Sequence, residues 1–148
     1  MQIVNAIAKG TLIPLVFMQA DAAASQNNAA LTVAEVRDVA ASADDQNAAD
    51  GYVMPWTGEI IGISVRSSAA RTNGTLTAEA MVNTSATGLT AALNATNTQS
   101  AYTRQARGND TFAAGDRIGA RLTTDASWAP ATADIVIVVW ALVYLDMI

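Results

Sequence analysis

The stretch Met54-Pro55-Trp56-Thr57-Gly58-Glu59-Ile60-Ile61-Gly62-Ile63-Ser64-Val65-Arg66 decides the fold class. A Pro-Trp corner and a turn at Gly58 lead into a run with Glu59, Ile61, Ile63 and Val65 on one side and Ile60, Gly62, Ser64 and Arg66 on the other. A period of two marks a strand, because successive side chains leave opposite faces of the backbone. Pro55 has no N–H to give to a sheet ladder and belongs ahead of the strand. Downstream the same grammar repeats: a short β-rich run, a turn, another short run. The expectation is an all-β chain.

Asn73-Gly74 gives the strongest short hairpin signal. Thr75 to Asn83 then alternates, with Leu76, Ala78, Ala80 and Val82 on one face, and Gly88 breaks the chain ahead of Leu89 to Leu93. The polar stretch Asn94 to Asp110 is expected to hold one short strand and an exposed loop. Thr111 to Asp116 reads as a turn, Arg117 to Thr123 as a strand with Ile118, Ala120 and Leu122 inward, and Asp125 to Ala133 as a loop. The last run, Ile135 to Leu145 (IVIVVWALVYL), is apolar on both faces. Such a strand must be covered twice, at the centre of a sandwich or at a subunit interface. Several short strands at turn spacing predict an antiparallel, jelly-roll-like β-sandwich over residues 51–148.

Residues 1–50 read as an extended N-terminal arm with edge strands, Ile3 to Ala8 and Leu12 to Gln19, joined at Gly10. Lys9 with Leu12 to Met18 loosely imitates a secretory signal, against which stand Pro14 and the single positive charge. Residues 21–50 are small and polar apart from Leu31 to Val39. That segment fits a capping box at Thr32 and Glu35 or an alternating strand, and the β context favours the strand. The Ile135 to Leu145 run falls short of the ~20 residues of a transmembrane helix.

Composition narrows the chemistry. The 148 residues carry a net charge of -5, with one lysine, no histidine and no cysteine. Without these side chains there is no Ser-His-Asp triad, cysteine nucleophile, disulfide or zinc-thiolate site. Carboxylates, hydroxyls and arginine remain. Arg37, Arg66, Arg71, Arg104, Arg107, Arg117 and Arg121 are scattered and form no basic stripe, so neither nucleic acid nor an anionic membrane is an expected partner. No cofactor and no enzymatic activity are expected.

Weaker chemical signals have bland readings that are preferred. Asp44, Asp45, Asn47 and Asp50 suggest Ca²⁺ but lack EF-hand spacing, and read as a solvated loop. Glu59 and Glu79 would form a glycosidase pair only if the fold brought them to about 5 to 9 Å of each other. Trp56, Trp128 and Trp140 are read as core or interface rather than a sugar platform. Asn94 to Asn109 is read as a surface linker.

The run Gly51 to Val65, then Thr72-Asn73-Gly74-Thr75-Leu76-Thr77, resembles the β-domain of tailed-bacteriophage capsid decoration (cement) proteins. Thr111 to Ile118 and the closing apolar strand fit the same pattern. More distantly, the chain is similar to the trimeric jelly rolls of the tumour-necrosis-factor and C1q type. The resemblance covers about two thirds of the chain and rests on turn and strand signatures. It implies a virion protein on the outer capsid surface, a homotrimer that binds the major capsid protein and clamps the shell. On that reading Ile137, Val139, Trp140 and Val143 form the trimer interface, and Ile3, Ile7, Leu12 and Phe17 touch the capsid or a neighbour. The alternatives are a trimeric receptor-binding or fibre-head module for a host glycan, and a small sandwich enzyme.

Overall fold

A computed structural model describes residues 10–33 and 51–145, and these form two antiparallel β-sheets packed face to face. The strands are β1 (Thr11–Gln19), β2 (Ala29–Ala30), β3 (Thr32–Val33), β4 (Tyr52–Val53), β5 (Gly58–Ser67), β6 (Leu76–Val82), β7 (Ser85–Leu93), β8 (Ser100–Arg104), β9 (Asp110–Phe112), β10 (Arg117–Thr124) and β11 (Ile135–Val143). Sheet A has the order β3-β1-β11-β5-β8, with β9 also on β5. Sheet B has the order β2-β10-β6-β7, with β4 also on β10. The all-β sandwich expected from the alternating runs is what the chain adopts.

Strand β11 lies in the middle of sheet A. It pairs with β1 from Thr11↔Val143 to Gln19↔Ile135, and with β5 from Ile135↔Ser67 to Val143↔Gly58. Its odd-numbered residues Ile135, Ile137, Val139, Ala141 and Val143 are buried against sheet B. They meet the inward rows Leu76, Ala78 and Ala80 of β6, Leu89, Ala91 and Leu93 of β7, and Ile118, Ala120 and Leu122 of β10 in one continuous core. Much of that row is alanine, so the two sheets meet through small side chains as well as large ones.

The division at residue 50 does not survive. Strand β1 is an interior strand of sheet A, and Leu15, Phe17, Ala22, Ala29 and Leu31 belong to the same core as the downstream strands. The apolar segment with the look of a secretory signal forms this strand, the first of the sandwich among the described residues. Phe17 is fully buried, its ring edge-on to Tyr52 at 5.5 Å between centroids, and the Tyr52 hydroxyl donates to the Val16 carbonyl at 3.2 Å. This contact joins β1 of sheet A to β4 of sheet B. A capsid contact through Phe17 is excluded by that burial. Strand β3 bears out the strand reading of Leu31 to Val39 at Thr32 and Val33; the rest of that segment, with Ile3, Ile7 and the Asp44-Asp45-Asn47-Asp50 cluster, lies outside the described residues.

Two turns differ from expectation. Asn73-Gly74, with Gly74 at φ 72°, carries the chain from β5 in sheet A to β6 in sheet B, so it is a crossover and not a hairpin. The hairpin turns at Asn83-Thr84, where Val82 pairs with Ser85 and Asn83 takes φ 56°. Asn83 tolerates that left-handed geometry, and its side chain is held on both sides: Nδ2 donates to Asp116 and Oδ1 accepts from the Arg117 N–H, each at 3.0 Å.

Replacing Phe17 by alanine is expected to lower the unfolding free energy by about 3–5 kcal/mol, as for other buried aromatic truncations. Leu12→Ala, at a residue 49% exposed, should change it by less than about 0.5 kcal/mol. Urea unfolding followed by tryptophan fluorescence measures both.

Candidate functional site

The outward face of sheet A is unlike that of sheet B. On sheet B the outward positions include Thr77, Glu79, Thr90, Arg121 and Thr123, a half-buried polar surface on which Glu79 and Arg121 pair at 2.6 Å. On sheet A the even-numbered residues of β1 and β11 point outward: Leu12, Pro14, Val16 and Met18, then Val136, Val138, Trp140 and Leu142. None is fully buried, although all but Pro14 are strongly apolar side chains. Both faces of β11 are apolar, but among the described residues only one is covered.

The register places these residues in rows across the sheet. Pro14, Trp140, Gly62 and Arg104 form one row, Val16, Val138, Ser64 and Tyr102 the next, and Met18, Val136, Arg66 and Ser100 the third. The strict alternation read in β5 is broken by a bulge. Trp140 pairs with Gly62 and Ala141 with Ile60, leaving Ile61 as the extra residue. Ile60 therefore shares the inward face with Ile63 and Val65, while Ile61 joins Gly62 and Ser64 on the outside. Without the bulge, either Ile60 or the pair Ile63 and Val65 would face water.

Gly62 and Ser64 are small, and their neighbours on β11 and β8 are large. The result is a trough running along β5. It comprises two adjoining hollows of about 410 and 400 Å³, one lined by Leu12, Ile61, Gly62, Tyr102, Arg104 and Trp140, the other by Ser64, Arg66, Ser100, Tyr102, Val136 and Val138. Tyr102 stands between them, 73% exposed. The surface exposed inside the hollows is mostly apolar, although Arg66, Ser100, Tyr102 and Arg104 contribute to their lining.

At one end of this face lies a buried carboxylate. Glu59 follows the Gly58 position where β5 approaches both Leu142 and Phe112 too closely for any side chain. Its side chain is 1% exposed and accepts from Arg107 Nε at 2.5 Å and from the Gly108 N–H. Arg107 also donates to the Tyr144 hydroxyl at 3.0 Å and lies over that ring, 5.6 Å from its centroid. Burial pushes the Glu59 carboxyl up, but hydrogen bonds from Tyr144, Arg107 and Gly108 outweigh it and hold the group below its ordinary value. This cluster clasps the β8–β9 loop to the end of β11. Both oxygens of the carboxylate accept hydrogen bonds in it.

Of the residues singled out from the sequence, Ile137, Val139 and Val143 are 0–3% exposed inside the chain's own core and offer nothing to a neighbouring copy. The twofold cover demanded by β11 is half met by sheet B, and the uncovered half belongs to the even-numbered row. Trp140 is in that row, partly buried, and pairs with Pro14 of β1 two positions from the exposed Leu12. Trp128 is buried, its indole N–H donating to the Ala22 carbonyl at 2.9 Å, and Trp56 is exposed in the loop before β5. Glu59 and Glu79 lie on the outward sides of different sheets, each held by its own arginine, and do not form a catalytic pair. The chance to identify Val136, Val138 and Leu142 was present in the sequence, but alternation within an apolar run does not say which half faces the core. Comparison with protein-family models and with curated proteins finds no match.

Glu59→Gln is expected to weaken the fold at neutral pH, since Arg107 and Gly108 lose a charged acceptor. A carboxyl held below its ordinary value of 4.5 stabilises the fold above that pH and loses this contribution as pH falls through the folded value. The wild type should therefore lose stability on acidification below about pH 5 more steeply than the glutamine variant, which thermal melts across pH 3–7 would measure.

Proposed function

We propose that this protein is a structural component of a virion, a decoration protein that binds the major capsid protein on the outer surface of a tailed-phage-type shell as a homotrimer. The observation that supports the reading most is the two-sided character of the sandwich. One sheet carries a largely polar outward surface, while the other has an apolar outward face that no described strand covers, and large apolar patches rimmed by polar groups mark interaction sites. A further support is the strand order. The succession β1-β11-β5-β8 over β2-β10-β6-β7 is the order expected of a jelly roll, the fold implied by the resemblance to decoration proteins.

A rigid binder of this kind acts through mass action. A protein that docks only on the assembled, expanded shell stabilises that state against dissociation in proportion to its occupancy. Three copies held together act at high effective concentration once the first has docked, so each foot can be individually weak.

The test is co-sedimentation with expanded shells prepared without this protein. The expected result is saturable binding on the shell surface and a higher shell disruption temperature. Protein that stays in the supernatant at saturating shell concentration would overturn the proposal.

A further inference from the structure

We propose that Asn73 is a site of spontaneous covalent modification, at which the side-chain amide is lost and the backbone is rerouted through an isoaspartyl linkage. This goes beyond the proposed function and does not rest on it.

The sequence supplies the first argument. Asn73-Gly74 is the one Asn-Gly step in the chain. In this reaction the backbone nitrogen of residue 74, having lost its proton to hydroxide, attacks Asn73 Cγ. The N–Cγ bond forms, the bond from Cγ to the side-chain nitrogen breaks, and ammonia departs with a proton taken from water. Water then opens the succinimide ring at either carbonyl, giving aspartate or isoaspartate. A β-carbon on the following residue crowds the attack, and glycine has none. Every other asparagine is followed by a residue that carries one.

The structure supplies the second. Asn73 is exposed, and among the described residues nothing bonds its side-chain amide or the Gly74 N–H. Nor does the fold need an asparagine there: the left-handed backbone belongs to Gly74 at φ 72°, and Asn73 itself has no positive φ. Asn83 and Asn94 are different. Asn83 takes φ 56° with its amide held by Asp116 and Arg117. Asn94 Oδ1 accepts from the N–H groups of Thr96 at 2.9 Å and Asn97 at 3.0 Å. Those amides serve the turns they sit in, whereas that of Asn73 is free to react.

Packing gives the reaction a consequence. Asn73 forms an isolated bridge with Ala129: the Thr72 N–H donates to the Ala129 carbonyl at 2.9 Å, and the Ala129 N–H to the Asn73 carbonyl at 3.1 Å. One residue on, Gly74 lies so close to the Trp128 backbone and the Asp125 carboxylate that a β-carbon would not fit. An isoaspartyl link adds one methylene carbon to the main chain, about 1.5 Å, between these two fixed points. It also turns the carbonyl that Ala129 bonds into a free carboxylate outside the main chain. The bridge and the seat of Gly74 can no longer both be kept, and the crossover from β5 to β6 is loosened.

The test incubates the full-length chain in mildly alkaline buffer and digests timed samples with trypsin. Cleavage after Arg71 and Arg104 releases Thr72 to Arg104, which carries Asn73, Asn83, Asn94 and Asn97 together. Fragmentation in the mass spectrometer locates the mass gain of amide loss, and isoaspartyl methyltransferase labelling reports isoaspartate. The expected result is first-order loss of the unmodified peptide at Asn73, ahead of any change at the other three and absent in Asn73→Ser. Aged protein should show a second, lower-melting population that tracks the isoaspartate fraction. Asn73→Asp, which carries the new charge on a backbone of ordinary length, should melt with the unaged wild type. An Asn73 that stays intact in the native chain while it reacts in urea, or another asparagine reacting first, would overturn the site. An isoaspartyl protein that melts like the unaged wild type would overturn the consequence. Shell co-sedimentation of unaged protein decides the capsid reading independently of these results.

Discussion

The structure depends on the placement of β11 between β1 and β5. A nine-residue strand paired along its full length on both sides ties the first described strand of the chain to its middle and its end. Every second side chain of β11 enters the core with nothing exposed beyond a few per cent. The hydrophobic contribution is large, because burying each Ile or Val side chain is worth about 1.5–3 kcal/mol. Remove that strand and sheet A separates into β1 with β3 on one side and β5 with β8 and β9 on the other. The same strand also creates an imbalance, since its other row is equally apolar and, among the described residues, has no second sheet above it.

The rest of the molecule accommodates that imbalance. The bulge at Ile61 turns Ile60, Ile63 and Val65 inward together and leaves Gly62 and Ser64 outside, so the open face is furrowed and not flat. The Glu59–Arg107–Tyr144 clasp ties down one end of the face, and its carboxylate is consumed in doing so. Sheet B, by contrast, finishes in threonines and the Glu79–Arg121 pair, a surface suited to solvent. A sandwich wet on one side and apolar on the other has a preferred orientation towards whatever covers it.

Much of this was legible in the sequence. Period-two alternation in Thr75 to Asn83 and Arg117 to Thr123 gave the correct inward rows, because those strands have one apolar and one polar face. The same logic failed where that contrast is missing. In Ile135 to Leu145 both rows are apolar, so Ile137, Val139 and Val143 were indistinguishable from their neighbours until sheet B was seen to cover them. Strand β1 was misread as an arm for a similar reason: its partner, β11, lies over a hundred residues away, and no local signal reports a pairing at that separation. The bulge was hidden because an Ile-Ile-Gly-Ile run satisfies either phase. Asn83 escaped notice because Asn-Thr is a weaker turn signal than the Asn-Gly ten residues earlier, which tertiary context diverted into a crossover between sheets.

The central claim, that the furrowed face of sheet A is covered in the proposed assembly, is tested most directly by hydroxyl-radical footprinting as a function of protein concentration. Tyr102 on that face is 73% exposed in a single copy, and Trp56 in the loop before β5 is 48% exposed. The account predicts that oxidation of Tyr102, with that of Trp140, falls sharply as concentration rises while that of Trp56 stays constant. Tyr102 and Trp140 oxidised at the same rate at every concentration would contradict it.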